Sequence, residues 1–226
     1  MSTFIQLVND VERESGTVNQ AQRLTTVAGA RGRQEKIVQW TAQAWAEIQR
    51  ERRDWTFMRK RFLHAVTSGV ASYTAADLGI TDFGGWMPEA DNFQPFTIYE
   101  TAKGRQDETR LKILPFNAWL TAYDVGAHDA QRPNYIAIGF DRSLNLGPTP
   151  DRAYTLRGWY RRSIQMLAAD NDTPFIDEQF HNAIVWRALM LLGEHDEATF
   201  PIAAAQSKAR VQHSAMLREF TPQVET

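Results

Sequence analysis

Apolar positions in the first fifteen residues recur with the period of a helix. Phe4, Leu7, Val8 and Val11 fall at i, i+3, i+4 and i+7, which lines one helix face with apolar side chains. Ser2 or Thr3 offers a capping oxygen, and Ser15-Gly16 offers a left-handed stop. Residues 17–34 read as a connection, loosened by Gly29 and Gly32. A second helix is predicted over residues 34–53, with Ile37, Trp40, Thr41, Ala44, Trp45 and Ile48 as its buried stripe. The period then changes to two. Residues 62–68 and 70–74 read as a hairpin returning across Gly69, and residues 75–94 as irregular chain. A second hairpin is predicted from 96–99, a polar turn at Lys103-Gly104-Arg105, and an alternating return strand over 110–114. Pro115 opens a short helix. Strands follow at 134–140, 142–146 and 154–160, separated by polar and proline-rich turns. The last third is helical again. One helix runs from an Asp177 cap through Leu192 and is closed by Gly193. The final one runs over residues 197–220 and is stopped by Pro222.

Helices, then strands, then helices is not the alternation of a doubly wound sheet. The order predicts an α+β fold. Residues 1–61 and 164–226 form a helical bundle built from both chain ends, and residues 62–163 form a small antiparallel β unit inserted into it. The chain is long enough for a real core, and seven Trp, twelve Phe and six Tyr supply bulk to fill it. No internal repeat marks a solenoid.

Composition narrows the chemistry. The chain has no cysteine, which excludes disulfides, thiolate metal sites and thiol nucleophiles. No apolar run reaches the roughly 18 residues of a membrane span, and the N-terminal residues do not read as a signal peptide. The net charge is −2, but it is unevenly distributed. Residues 31–61 hold nine basic against four acidic side chains, and residues 164–226 hold four against nine. Opposed halves of this kind favour head-to-tail contact between copies.

Catalytic signatures are scarce. The five His residues stand in no metal-ligand spacing, and there is no phosphate-binding glycine loop and no nucleophile elbow. Glu194-His195-Asp196 diverge from one another on a helix end. Asp170-Asn171-Asp172 lacks the glycine and closing glutamate of a calcium loop and reads as a turn before Pro174. Asp77, Asp82 and Asp91 are the carboxylates on which a hydrolase would rest. The basic cluster Arg50, Arg52, Arg53, Arg59, Lys60 and Arg61, interleaved with Trp55 and Phe57, is the best candidate for polyanion contact. The two aromatics read first as core residues and second as stacking platforms for bases. No cofactor is expected.

Three stretches carry a family resemblance. They are Arg53-Asp54-Trp55-Thr56-Phe57-Met58 followed by a strand, Gly69 and Tyr73; Arg132-Pro133-Asn134-Tyr135-Ile136-Ala137-Ile138 leading to Leu144-Asn145-Leu146-Gly147-Pro148-Thr149-Pro150-Asp151; and Tyr154-Thr155-Leu156-Arg157-Gly158-Trp159-Tyr160-Arg161-Arg162 followed by Pro174-Phe175-Ile176 and a helix from Phe180-His181. In order and spacing, residues 40–195 resemble the tailed-phage adaptor, or head-completion, proteins that join portal to tail, including the tail tubular protein A group. The resemblance implies a structural subunit and not an enzyme. It implies a ring, commonly of twelve copies, located in the virion and assembled in the host cytoplasm. Implied partners are the portal protein, neighbouring copies, a tail-side connector, nozzle or tail-tube protein, and genomic DNA passing through the lumen without sequence recognition. No membrane is implied. Portal docking would fall on the C-terminal segment with Val211, Met216, Leu217, Phe220 and Pro222. Arg50, Arg53, Arg59, Lys60 and Arg61 would face the lumen or a neighbouring subunit. The alternatives are a nucleic-acid-binding module using residues 50–61 and a carboxylate-dependent hydrolase.

Overall fold

The computed structural model describes residues 1–16, 23–87, 95–195 and 202–221. The fold is α+β, and the chain divides into two compact units: Met1–Met58 with Ile164–Thr226, and Arg59–Ser163.

The first unit is helical. Its elements are α1 (Phe4–Glu14), α2 (Arg33–Glu51), α4 (His181–His195) and α5 (Ile202–Phe220). Helix α1 follows its pattern closely: Phe4, Leu7, Val8 and Val11 are all buried, and Thr3 with Gln6 forms a capping box. Two of its first N–H groups, on Phe4 and Ile5, donate to the carbonyls of Asp172 and Asp170. The 170–172 turn therefore satisfies a helix start, and the Asp172 carboxylate closes the turn by accepting from the N–H groups of Ala168 and Ala169. Helix α2 buries the expected stripe except Trp40, which is partly exposed beside the His195 ring. Helix α4 packs against α1, α2 and α5. It does not stop at Gly193; that glycine is buried within it, and the helix continues to His195. The expected start of α5 at Glu197 lies outside the described residues.

Among the described residues, the second unit holds nine strands in two sheets. In the first, β1 (Arg59–Val66) pairs with β9 (Tyr154–Arg162), whose other edge takes β4 (Thr97–Glu100) and β3 (Phe83–Trp86); β5 (Thr109–Arg110) lies beyond β4. In the second, the order is β2 (Ser72–Tyr73), β8 (Leu144–Gly147), β7 (Tyr135–Ile138), β6 (Lys112–Leu114). A short helix α3 (Phe116–Trp119) continues as a π turn over Leu120–Asp124.

Four expectations change here. The 62–74 hairpin does not form: β1 pairs with β9 and β2 with β8, because the Gly69 N–H donates to the Pro150 carbonyl instead of closing a hairpin. The 96–114 hairpin lasts two residue pairs. After Leu111, whose N–H donates to Phe96, the chain crosses to the other sheet, where Lys112 donates to Asn134. The β unit is also not wholly antiparallel, since β6 runs parallel to β7. Strand β3 emerges from a stretch read as irregular.

Candidate functional site

Helix α5 shows how its expected docking residues divide. Met216 and Phe220 are buried. The Phe220 ring meets Phe57 at 5.3 Å and Phe180 at 5.0 Å, both edge-on, and Leu217 packs partly against the same core. These three hold the helix to its own unit. Val211, 65% exposed, presents apolar surface to solvent, and Pro222 lies outside the described residues. Beside α5, a cavity of about 340 Å³ is lined by Ile48, Ala183, Met190 and Met216, with Glu51, Arg187 and His213 among its charged residues. The Glu51 carboxylate lies 3.3 Å from the Arg187 guanidinium and 3.1 Å from the His213 ring, and Glu47 accepts from Arg187 at 2.9 Å. Part of the charge of α2 is thus matched within this unit. Ion pairs this wet contribute little each.

The expected basic cluster separates by element. Arg50 and Arg53 are exposed near the end of α2, whereas Arg59, Lys60 and Arg61 begin β1. The aromatics between them face inward. Trp55 is fully buried, its Nε1–H donating to the Ile48 carbonyl at 2.9 Å. Phe57 is stacked on Trp45 and Trp55 at 5.8 and 5.4 Å. Trp55 therefore packs the core, and Phe57, partly buried, packs against it. Lys60 pairs with Asp82 at 3.2 Å, and the Arg61 guanidinium lies 4.6 Å from the Trp159 ring centroid.

The carboxylates proposed for hydrolysis are held in structural bonds. Asp77 accepts from the N–H and hydroxyl of Thr74, closing a turn, and these bonds hold its carboxyl below the usual range. Asp82 accepts from the Tyr160 hydroxyl at 2.6 Å and from Lys60. Burial pushes the Asp82 carboxyl up, but those bonds outweigh it, so the group titrates low. Both are ionised acceptors and poor proton donors at neutral pH. Asp91 lies outside the described residues. Among the described residues, no three acidic or histidine side chains gather as a metal site, and no helix is long and apolar enough to cross a membrane.

The sequence reading missed one surface. Between β7 and β8 the chain turns through Gly139–Ser143, and Phe140 at that turn is 83% exposed. The turn is fixed by many bonds. Gly139 donates to the Ser143 carbonyl and Arg142 to the Gly139 carbonyl, each at 2.9 Å. The Asp141 carboxylate accepts from the Ser143 N–H (3.0 Å) and hydroxyl (2.7 Å). Trp86 donates to the Arg142 carbonyl at 2.6 Å. A Cβ at Gly139 would come within 2.6 Å of the Asp141 carboxylate and 2.7 Å of the Ser143 hydroxyl, so a larger residue there would press on the two side chains whose bond closes the turn. Phe140 itself rests edge-on against Phe116 at 5.0 Å, and Phe116 stacks on Trp119 at 5.9 Å. Together they border an open cleft of about 650 Å³ that also takes in Val70, Asp124 and Asp141. An aromatic residue in a polar turn is the sequence signal that marked this place.

Comparison with known proteins agrees with a structural role. No curated protein matches the chain. A family model described as SU10 adaptor protein matches residues 2–224, nearly the full length. That span includes both units and the three stretches on which the resemblance rests, though it does not single out the tail tubular protein A group. The chain belongs to the SU10 adaptor protein family, a family of structural phage head–tail adaptors.

Proposed function

We propose that the chain is one subunit of a closed ring, dodecameric by resemblance, that joins the portal to the tail and surrounds the DNA channel. The observation that carries this reading is the family match over residues 2–224. Heterologous contacts between identical subunits close into rings when the rotation permits, and the uneven charge of the chain suits such contacts. Portal docking is assigned to the C-terminal end, where Val211 is exposed and residues 222–226 follow. Arg50, Arg53, Arg59, Lys60 and Arg61 are assigned to the lumen or a subunit contact, where a polyanion would be met through charge alone. The tail-side partner is a connector, nozzle or tail-tube protein.

Light scattering on the purified chain, alone and mixed with its portal protein, tests the reading. A ring-sized mass, or a portal complex carrying many copies, is the expected result. A chain that stays monomeric in both samples overturns it.

A further inference from the structure

The rigid Phe140 tip raises a physical question. An aromatic ring 83% exposed to water gains little for the isolated chain beyond its edge contact with Phe116, yet at least five hydrogen bonds hold its turn in place. Preorganised aromatic knobs of this kind are what interfaces use as anchors, because little freedom remains to be lost on binding. The cleft beside the knob has its own character. Its floor is aromatic, its charged residues are Asp124 and Asp141, and no Lys or Arg is among its lining residues. Asp141 is held below the usual carboxylate range by the Ser143 bonds, so it is anionic at neutral pH.

The matching chemistry lies on β1. Phe62 and Val66 are buried there, while Arg61, Leu63 and Ala65 are exposed. Leu63 is 61% exposed and shares a sheet face with Arg61 two residues earlier. Among the described residues, no carboxylate pairs with Arg61; its contact is the Trp159 ring. Strand β1 is also the last strand of its sheet, so its outer edge has no strand partner among the described residues. An apolar side chain flanked by a cation complements an apolar cleft flanked by carboxylates.

We propose that these two surfaces meet between copies: Leu63 and Arg61 of one chain seat against the Phe140 cleft of the next, Arg61 opposite Asp124 and Asp141. The contact is heterologous, since each copy offers one surface and receives on the other, and repeated contacts of this type build a ring. The inference rests on the ring reading and names the contact that would close it.

Sedimentation velocity separates the two. Phe140→Ser and Leu63→Ser each remove one exposed apolar group, and circular dichroism melts matching the wild type show that both variants fold. The wild type is expected to form rings, and each variant alone to remain monomeric, with association weakened about tenfold or more. An equimolar mixture of the two variants is the discriminating sample. Each chain then keeps one sound surface, so one contact per pair forms and the mixture stops at dimers. Arg61→Asp combined with Asp124→Arg in one chain is expected to restore rings that either change alone weakens. Folded single variants that assemble as the wild type does overturn the contact and leave the ring reading standing. A wild type that remains monomeric with portal present overturns both.

Discussion

Adding one methyl group at Gly158 tests how tightly the core of the second unit is closed. Gly158 sits in the middle of β9, opposite Phe62 on β1. A Cβ built there would lie 2.5 Å from one Phe96 ring carbon and 2.6 Å from one of Phe62. Carbon atoms in contact prefer about 3.5–4.0 Å, so both rings would have to retreat by about 1 Å. Neither has room. Phe96 is fully buried and Phe62 nearly so, and the Trp86 ring stands 5.5 Å from Phe62 and 6.1 Å from Phe96. Overpacking of this kind costs roughly 1–3 kcal/mol. Against it, alanine restricts the unfolded chain and returns about 0.4–1 kcal/mol. The net expectation for Gly158→Ala is a loss of about 1–2 kcal/mol. Hydrogen exchange read on β9 peptides in rising urea measures it on the unit concerned. Adding Phe96→Leu removes the nearest ring atoms, so the double variant should be less destabilised than the sum of the singles by at least about 0.5 kcal/mol. A Gly158→Ala chain as stable as the wild type would refute the packing argument.

Other substitutions probe separate links. Phe220→Ala should cost about 3–5 kcal/mol and Met216→Ala about 2–5 kcal/mol as core truncations, whereas Val211→Ser should stay within about 0.5 kcal/mol; thermal melts decide, and equal effects at all three sites would contradict the burial of α5. Glu108 accepts from Arg157 at 2.6 Å with both side chains less than a fifth exposed, so Glu108→Gln should cost about 2–4 kcal/mol in urea titrations. The Asp82–Tyr160 bond predicts a dependence on pH. A carboxyl held low in the folded state contributes stability above its unfolded value near about 4 and loses it as pH falls through the folded value. Burial and the Asp82 carboxylate raise the Tyr160 hydroxyl, so its contribution is complete below about 10 and is lost as pH rises further. Asp82→Asn should flatten the acid limb in midpoint measurements from pH about 5 to about 2, and an unchanged limb would exclude this pair as its source.

What could be read from the sequence followed from how local each signal was. The stripe of α1 lies where its period placed it, and the strands at 135–138, 144–147 and 154–162 lie within two residues of those expected at 134–140, 142–146 and 154–160, with Phe140 and Arg142 moved from strand into the turn. Pairing was less legible. The partner of β1 is a strand about ninety residues later, and no local pattern separates that pairing from a hairpin across Gly69. The alternation of residues 110–114 was real but misread as one strand, because Leu111 turns inward where the chain changes sheets. Among the site residues, Trp55 and Phe57 illustrate a general ambiguity. An aromatic flanked by arginines has the same local spelling whether it stacks on a base or packs a core, and only tertiary contacts with Trp45 and Phe220 decide. Phe140 was missed for the opposite reason, since exposure of a large apolar side chain is a tertiary fact.

The bonding of the charged residues connects the fold to its role. Arg132 grips Asp107 through both carboxylate oxygens and the main-chain carbonyl, and Asp107 also accepts the N–H of Glu100. Arg157 holds Glu108, which in turn accepts from Thr97 and Arg105. Each carboxylate is saturated with donors and tied to a strand or its connecting turn. Such groups lock loops in place, and their bonds keep them ionised and occupied, which removes them from proton transfer. A structural adaptor gains from loops that cannot rearrange. Among the described residues of the second unit, Phe140 is the most exposed large apolar side chain, on a turn as firmly bonded as any of these. Rigidity and presentation therefore coincide at the surface where a neighbouring chain would be met.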